Sequence, residues 1–321
     1  MPAVNPRGCL IFHERAQKER YEKMLDGFSC SVKGASHEKR GIVCQDASAY
    51  RVGNGYAIAV VADGHGGKKY FRSNVGSQLA VQAAIETVEL FCKDPDKFDI
   101  NFKSDYKRII KRVEKHIIAL WNEKIAEHLN HHPVSSDEIK MLSYEEFRDI
   151  PPESYYGTTL VCAVVARSYT WGFQIGDGSL VSVFDDGETK MLMDYEESNP
   201  ANITASICNA NASEMFDSFY VERKPIATIV STDGLYTSFG SDYDFLDYHT
   251  IIAGQLINPE AFFGSLQNNM KKRTHYGTED DISVSCIYDK ELVSSKQNII
   301  CERIAVNKHL ADERKAKILN K

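Results

Sequence analysis

Residues 58–67 read IAVVADGHGG, an apolar run that ends abruptly in an aspartate and a set of glycines. The five residues from Ile58 to Ala62 have the length and β-branched content of a strand interior. The glycines at positions 64, 66 and 67 allow a tight turn, because glycine adopts positive φ angles without a steric penalty. The stretch therefore predicts a strand that presents the carboxylate of Asp63 at its end. An ordinary turn with a capping aspartate is the alternative for this stretch considered alone.

Other aspartates occupy the same kind of position: Asp46, Asp233, Asp280 and Asp281. The first precedes the strand-like run ASAYRV, the second follows IATIV, and the last two precede ISVSCIY. Strand ends on one rim of a sheet can converge, and ionised carboxylates repel one another in a low-dielectric cleft. Oxygen-only clusters suit hard divalent cations, Mg²⁺ or Mn²⁺. The pattern predicts a site for two such cations about 4 Å apart, with the Gly64 carbonyl beside a bridging Asp63.

Composition narrows the class of protein. The chain has 321 residues, 43% of them hydrophobic, and a formal net charge of -7. Its length allows a substantial core, and its acidic balance argues against a nucleic-acid partner, which requires clustered Lys and Arg. No window approaches the roughly 20 consecutive apolar residues of a membrane span, and the N-terminus lacks a signal-peptide pattern. We therefore expect a cytoplasmic protein with no membrane partner.

The eight cysteines contain no CxxC pair and no Cys/His cluster at zinc spacing. Several lie in apolar stretches, such as LVCAVV around Cys162 and SVSCIY around Cys286. We interpret them as reduced core thiols, with disulfides as the alternative.

Short runs rich in Val, Ile, Thr, Tyr and Phe predict strands. They are FSCSVKGAS, SAYRVGNGYAIAVVAD, TTLVCAVVA, YTWGFQIGD, LVSVFDDGE, IATIVSTDG and ISVSCIYD. The sequences GNG at 53–55 and DDG at 185–187 predict hairpin turns. Apolar spacing predicts helices over 75–92, 104–129, 259–273 and 308–319, and irregular segments over 133–153 and 194–214.

The order of these elements predicts the fold class. Strand pairs, then two long helices, then further strands do not alternate as βαβ units do. We expect an α+β fold of mostly antiparallel sheets, with helices on the outer faces. We divide the chain into an N-terminal extension (1–26), one main domain (27–290) and a C-terminal helical tail (291–321).

The motifs, taken in order, resemble a known family. They are CQD (44–46), ADGHGG (62–67), Gly157-Thr158-Thr159, Gly176-Asp177, STDG (231–234) and EDDISV (279–284). This series resembles the PP2C-type (PPM family) metal-dependent serine/threonine protein phosphatases over roughly residues 28–290. The sequences GASH, CQDAS and ESNPANIT are most similar to a bacterial branch of that family.

The resemblance implies a four-layer α/β/β/α sandwich of two antiparallel sheets, and a phosphatase that acts on phosphoserine and phosphothreonine in proteins. In such an enzyme, a hydroxide that bridges two Mn²⁺ or Mg²⁺ ions attacks phosphorus. Asp63 resembles the bridging ligand and Gly64 a carbonyl ligand, whereas His65 is similar to a proposed general acid. The other implied metal ligands are Asp46, which acts through water, Asp233 and Asp280.

The chain also departs from the family pattern. Gly41 stands where many relatives have a phosphate-binding Arg, so we assign that role to Arg40 or His37, with simple solvation of a loop cation as the alternative. Gln45 replaces a Glu and is expected to orient a metal-bound water. The resemblance places Asp281 in the second shell.

Several questions stay open at this stage. We expect Asp177 to shape a turn, no third metal ligand is evident near Ser154, and His65 could hold the loop instead of donating a proton. A catalytically silent, phosphate-sensing or scaffold protein of the same fold is the alternative function. A cognate serine/threonine kinase is a possible partner.

Overall fold

The computed structural model describes residues 24–193 and 204–319. Most of the predicted N-terminal extension, the first half of the insertion predicted over 194–214, and nearly all of the motif ESNPANIT lie outside the described residues. The division into extension, domain and tail stays a prediction.

In this part of the chain, ten strands form two five-stranded antiparallel sheets. The strands are β1 (Leu25–Val32), β2 (Ala47–Gly53), β3 (Tyr56–Ala62), β4 (Leu160–Ala166), β5 (Thr170–Ile175), β6 (Ser179–Val183), β7 (Thr189–Met191), β8 (Asp217–Val221), β9 (Ala227–Ser231) and β10 (Ile282–Asp289). The first sheet has the order β1-β10-β9-β6-β7, and the second has the order β2-β3-β4-β5-β8.

Helices cover the outer face of each sheet. The α-helices of the described ranges are α1 (Ala35–Arg40), α2 (Ser73–Phe91), α3 (Pro95–Ser104), α4 (Tyr106–His131), α5 (Tyr144–Asp149), α6 (Asp233–Tyr236), α7 (Asp242–Gln255), α8 (Pro259–Arg273), α9 (Lys290–Ser295) and α10 (Gln297–Leu319). Helices α2, α3 and α4 pack on the second sheet, and α7, α8 and α10 pack on the first. No helix in the described ranges is long and apolar enough to cross a membrane.

The residues of β3 explain why this strand reads as a continuous apolar run. Alternate side chains of a strand point to opposite faces. The side chains on one face pack against the helices, namely Ile58, Val60 and Ala62. Those on the other pack against the first sheet, namely Ala57, Ala59 and Val61. Because both faces are buried, the structure confirms the four-layer α/β/β/α sandwich.

Most predicted elements are present. Both hairpin turns are confirmed, and each contains a glycine with positive φ, Gly55 at 83° and Gly187 at 82°. Strand β8 and helices α1, α3, α6, α7 and α9 were not predicted, and 133–153 contains the short helix α5. The predicted strand FSCSVKGAS is wrong at its end, because β1 stops at Val32 and Ala35 starts α1. The C-terminal helix starts at Gln297 and not near 308. Its buried Ile300 belongs to the core between the first sheet and its helices, so this helix is part of the packed structure.

A close approach between α2 and the chain after α5 requires a glycine at position 76. A Cβ on Gly76 would collide with the backbone carbonyl of Tyr156, and the Gly76 carbonyl accepts a hydrogen bond from buried Trp121 Nε1 at 3.0 Å. We expect Gly76→Ala to lower the free energy of unfolding by about 3 kcal/mol, because neither backbone can move freely. Urea unfolding measures this change.

Gly264 in α8 is the matched control, because nothing lies within 4 Å of a Cβ built there. We expect Gly264→Ala to raise the free energy of unfolding by about 0.5 to 1 kcal/mol through helix propensity. Equal effects of the two substitutions would contradict the packing argument.

Candidate metal centre and cleft

Strand register brings the predicted aspartates to one rim. In the second sheet, Ala47 pairs with Ala62, so the residues just outside this pair, Asp46 and Asp63, lie at the same end of the hairpin. In the first sheet, Ser231 pairs with Val284, which places the end of β9 beside the start of β10. The motifs STDG and EDDISV therefore meet at the corresponding end of the other sheet.

Thr232 ties the two sheets together at this rim. Its buried hydroxyl donates to Asp46 Oδ2 at 2.8 Å, and Thr232 Oγ1 also accepts a hydrogen bond from the Ser283 backbone N–H at 2.9 Å. The Thr232 N–H in turn donates to the Ser283 carbonyl at 3.0 Å. Sequence reasoning did not identify this residue, although it immediately precedes Asp233 in the STDG motif.

The backbone of Asp63 is fixed by two threonines. Its N–H donates to Thr159 Oγ1 at 3.0 Å, and its carbonyl accepts from the Thr159 N–H at 2.8 Å and from Thr158 Oγ1 at 2.7 Å. These bonds occupy the main chain and leave the carboxylate available. The next position must be glycine, because a Cβ on Gly64 would lie 2.5 Å from the Gln45 carbonyl oxygen.

A cleft of about 370 Å³ opens above these residues. It is lined by Ser36, His37, Arg40, Gln45, Asp63, Gly64, Gly66, Thr278, Glu279, Asp280 and Asp281. Seven of the ten predicted site residues are in this lining. Asp46 and Asp233 do not line the cleft, but both are close enough to Asp63 to raise its pKa.

Burial and mutual repulsion raise the pKa values of three carboxyl groups. Burial raises the pKa of Asp63 well above its usual value, and Asp46 and Asp233 add to the effect. Burial and then the charge of Asp281 raise the pKa of Asp46. Burial and then the charge of Asp177 raise the pKa of Asp233 to about 6. These groups therefore form one coupled electrostatic unit, which a positive charge would stabilise.

The donor set fits a divalent cation. Asp233 Oδ1 is buried and has no hydrogen-bond partner among the described residues. Within those residues, no Lys or Arg forms an ion pair with Asp46, Asp63 or Asp233. No three His, Cys, Asp or Glu side chains in the described ranges already surround one point. The support for a metal site is therefore the coupling of these carboxyl groups together with the orphaned oxygen, and not a closed ligand shell.

Asp281 holds the loop around α1 in place. Its buried carboxylate accepts hydrogen bonds from the Gly34 N–H at 2.6 Å, from His37 Nδ1 at 3.0 Å and from the Gln45 N–H at 2.7 Å. Its neighbour Asp280 is exposed and lines the cleft. Adjacent aspartates thus differ in environment, and their separate roles stay a prediction.

The candidate phosphate ligands also differ. His37 is buried and engaged with Asp281, whereas Arg40 is exposed and its Nε donates only to the Ser36 carbonyl, at 3.2 Å. Arg40 therefore has more freedom than His37 to meet an anion in the cleft. Gln45 Nε2 donates to Ser73 Oγ at 2.6 Å and to the His65 carbonyl at 3.3 Å, so its amide orients the glycine-rich loop.

His65 lies on the same loop but is not part of the cleft lining. Its ring packs against Tyr70 with centroids 5.0 Å apart, and its Nε2 is buried without a hydrogen-bond partner in the described chain. Burial lowers the pKa of the imidazole to about 4, although the charge of Asp177 opposes this shift. Its role as a proton donor stays a prediction. The charge of Asp177 acts on both His65 and Asp233, and Asp177 Oδ2 accepts a hydrogen bond from Thr204 Oγ1 at 2.9 Å.

Comparison with known proteins identifies the family. A family model described as Protein phosphatase 2C matches residues 33–272. The chain belongs to the protein phosphatase 2C family. No curated protein sequence matches the chain.

Solved structures share the fold at low sequence identity. PppA, a regulatory component of the type VI secretion system (T6SS) in Pseudomonas aeruginosa, is 18% identical with a TM-score of 0.53, over 83% of this chain and 98% of PppA. A C. elegans sex-determining protein is 13% identical with a TM-score of 0.55, over 85% of this chain and 67% of that protein. A serine/threonine phosphatase of S. agalactiae is 18% identical with a TM-score of 0.50, over 83% and 99% of the two chains. These likenesses support the fold.

We expect Asp281→Asn to lower the free energy of unfolding by about 1 to 3 kcal/mol. One of the two carboxylate oxygens becomes an NH2 group that faces a backbone or ring N–H, which leaves buried donors unsatisfied. Urea unfolding in a metal-free buffer measures the loss. Asp280→Asn is the matched control, and its exposed side chain should change stability by less than about 0.5 kcal/mol. A larger loss at position 280 than at 281 would contradict this assignment.

Proposed function

We propose that the protein is a Mg²⁺- or Mn²⁺-dependent phosphatase that hydrolyses phosphoserine and phosphothreonine in protein substrates. The observation that carries the proposal is the convergence of Asp46, Asp63 and Asp233 at one rim beside an open cleft, in a chain of the protein phosphatase 2C family. A buried cluster of like charges destabilises the fold unless a cation neutralises it.

The residues of the cleft suggest a division of roles. Asp63 would hold both cations, the Gly64 carbonyl would bind one of them, Asp233 and Asp280 would bind the other, and Asp46 would act through water. When bound, two divalent cations supply Lewis acidity that lowers the pKa of a coordinated water and stabilises charge on the phosphoryl oxygens. Thr232 would keep Asp46 at its place on the rim.

The rest of the cleft would receive the substrate. Arg40 is the side chain we assign to the phosphate, because it is exposed, lines the cleft and has no carboxylate partner in the described chain. His37 and Asp281 would support this wall from behind. The open cleft suits a phosphorylated segment of a protein, and we propose a serine/threonine kinase as the functional counterpart. The free, buried cysteines, such as Cys162 and Cys286, support a reducing, cytoplasmic setting.

We expect the full chain to release phosphate from para-nitrophenyl phosphate and from phosphothreonine peptides only when Mn²⁺ or Mg²⁺ is present. Asp63→Asn and Asp233→Asn should each lower kcat/KM by on the order of 100-fold or more, because each removes an anionic ligand of the proposed cations. Calorimetric titration with Mn²⁺ should show weaker binding in both variants.

Asp137 is the control, because it is exposed and does not line the metal cleft. Asp137→Asn should change neither activity nor Mn²⁺ binding. The silent-scaffold alternative predicts that the wild-type chain releases no phosphate. A folded wild-type chain that binds Mn²⁺ but releases no phosphate from any phosphopeptide would favour that alternative.

We expect Arg40→Gln to raise KM for a phosphothreonine peptide about tenfold with little change in kcat, because it removes a charge-assisted hydrogen bond to the phosphate. Steady-state kinetics in saturating Mn²⁺ separates the two parameters. Lys39 is the matched control, since it forms an ion pair with Glu279 at 2.8 Å. If Lys39→Gln raises KM as much as Arg40→Gln, the specific assignment is wrong.

A further inference from the structure

A second cleft, which shares no lining residue with the metal cleft, lies between α7 and α10. Its volume is about 380 Å³, close to that of the metal cleft, but its walls are mainly apolar. It is lined by Phe239, Asp244, Asp247, Tyr248, Ile251, Arg273, Ile304, Asn307, Lys308 and Ala311. Concave, mostly apolar sites with a few polar groups are typical of small-molecule binding.

The way that α10 packs on α7 leaves this space open. Near its start, Ile300 and Ile304 pack closely on Gly254, with Ile304 Cδ1 only 2.9 Å from the position of a Cβ at residue 254. Further along, Arg314 holds the helix through ion pairs with Asp244 at 3.7 Å and with Asp247 at 3.4 Å. Between these two attachments, the short side chain of Ala311 faces the cleft and does not fill it.

Arg273 forms one wall of the cleft, and the groups in contact with its guanidinium are aromatic rings and neutral polar atoms. Its guanidinium lies over the ring of Phe239 at 3.7 Å and over that of Tyr248 at 4.7 Å. Its Nε donates to Asn269 Oδ1 at 2.9 Å, and Nη1 donates to Ser238 Oγ at 3.2 Å. Burial lowers the pKa of this group below its usual value. All of these partners are neutral.

The two carboxylates of the cleft are paired with a cation outside its lining, whereas the two cations of the lining have no carboxylate partner in the described chain. Within the described residues, neither Arg273 nor Lys308 forms an ion pair with a carboxylate, whereas Asp244 and Asp247 are both paired with Arg314. Arg72 shows the contrast, because its buried guanidinium is paired with Glu138 through two hydrogen bonds of 2.7 and 3.0 Å. A partly buried cation without a counter-ion, beside an apolar cavity, is favourable for an anionic ligand.

We propose that this cleft binds a small amphipathic anion, with a flat apolar body and one carboxylate, sulfonate or phosphate group. The apolar body packs against Phe239, Tyr248, Ile251 and Ile304, and Ala311 leaves room for it. The anionic group meets the guanidinium of Arg273, with Lys308 at the mouth. A neutral or cationic molecule of the same shape lacks this pairing and binds more weakly.

The test uses the full chain without metal or substrate, so that its outcome does not depend on the proposed phosphatase activity. Three probes that share the naphthalene ring and differ in charge are titrated by calorimetry: 1-naphthalenesulfonate, 1-naphthalenemethanol and 1-naphthylmethylammonium. We expect saturable one-to-one binding of the sulfonate, about tenfold tighter than the alcohol, with the ammonium compound weakest.

Variants on α10 locate the site without disturbing Arg273, whose loss could unfold the chain. Ala311→Phe should fill the cleft and weaken sulfonate binding at least tenfold, while the unfolding temperature stays close to that of the wild type. Lys308→Gln should weaken the sulfonate about threefold and leave the alcohol unchanged. Exposed Lys315 is the matched control, and Lys315→Gln should change neither.

Four results would overturn the proposal, and the first three concern the probes and the Ala311→Phe variant. They are the absence of saturable sulfonate binding, equal affinity for all three probes, and sulfonate binding that Ala311→Phe leaves intact. An equal loss in Lys308→Gln and Lys315→Gln would also overturn it, because it would indicate a general effect of net charge.

Discussion

The candidate active site depends on holding several carboxylates close together at the rim of two packed sheets. Burial and like charge both oppose this arrangement, as the raised pKa values of Asp46, Asp63 and Asp233 indicate. The surrounding structure must therefore supply the opposing free energy. It does so through β3, whose two faces are both buried, and through backbone bonds that fix Asp63 without using its side chain.

Much of the fold could be predicted because its central strands carry strong local patterns. Strands β3 and β4 are apolar on both faces, and the glycines of the two hairpin turns match the positive φ angles at Gly55 and Gly187. Strand β8 was missed because it is an edge strand of five residues, DSFYV, with no fully buried position. Helix α7 was missed because its aromatic and β-branched residues give no single apolar stripe, since it packs between the first sheet and α10.

The site could be predicted only in part. Aspartates at strand ends are visible in the sequence, and antiparallel register then places them at one rim. The supporting residues are not visible in the same way. Thr232 acts on Asp46, which is 186 positions away, and Asp281 acts on Gly34, which is 247 positions away. These bonds join different sheets or loops, so no local pattern specifies them, and they follow only from the tertiary packing.

The two clefts share one piece of structure. Arg273, which lines the apolar cleft, ends α8 and directly precedes the short π-helical segment Thr274–Thr278, which leads to Asp280. Thr278 Oγ1 lies 3.0 Å from Thr237 Oγ1, and Thr237 Oγ1 also donates to the Asp233 carbonyl at 3.0 Å. The same segment therefore adjoins Asp280 along the chain and, through Thr237, the backbone of Asp233. The apolar cleft is thus connected to the carboxylate cluster through the backbone that positions two of its members.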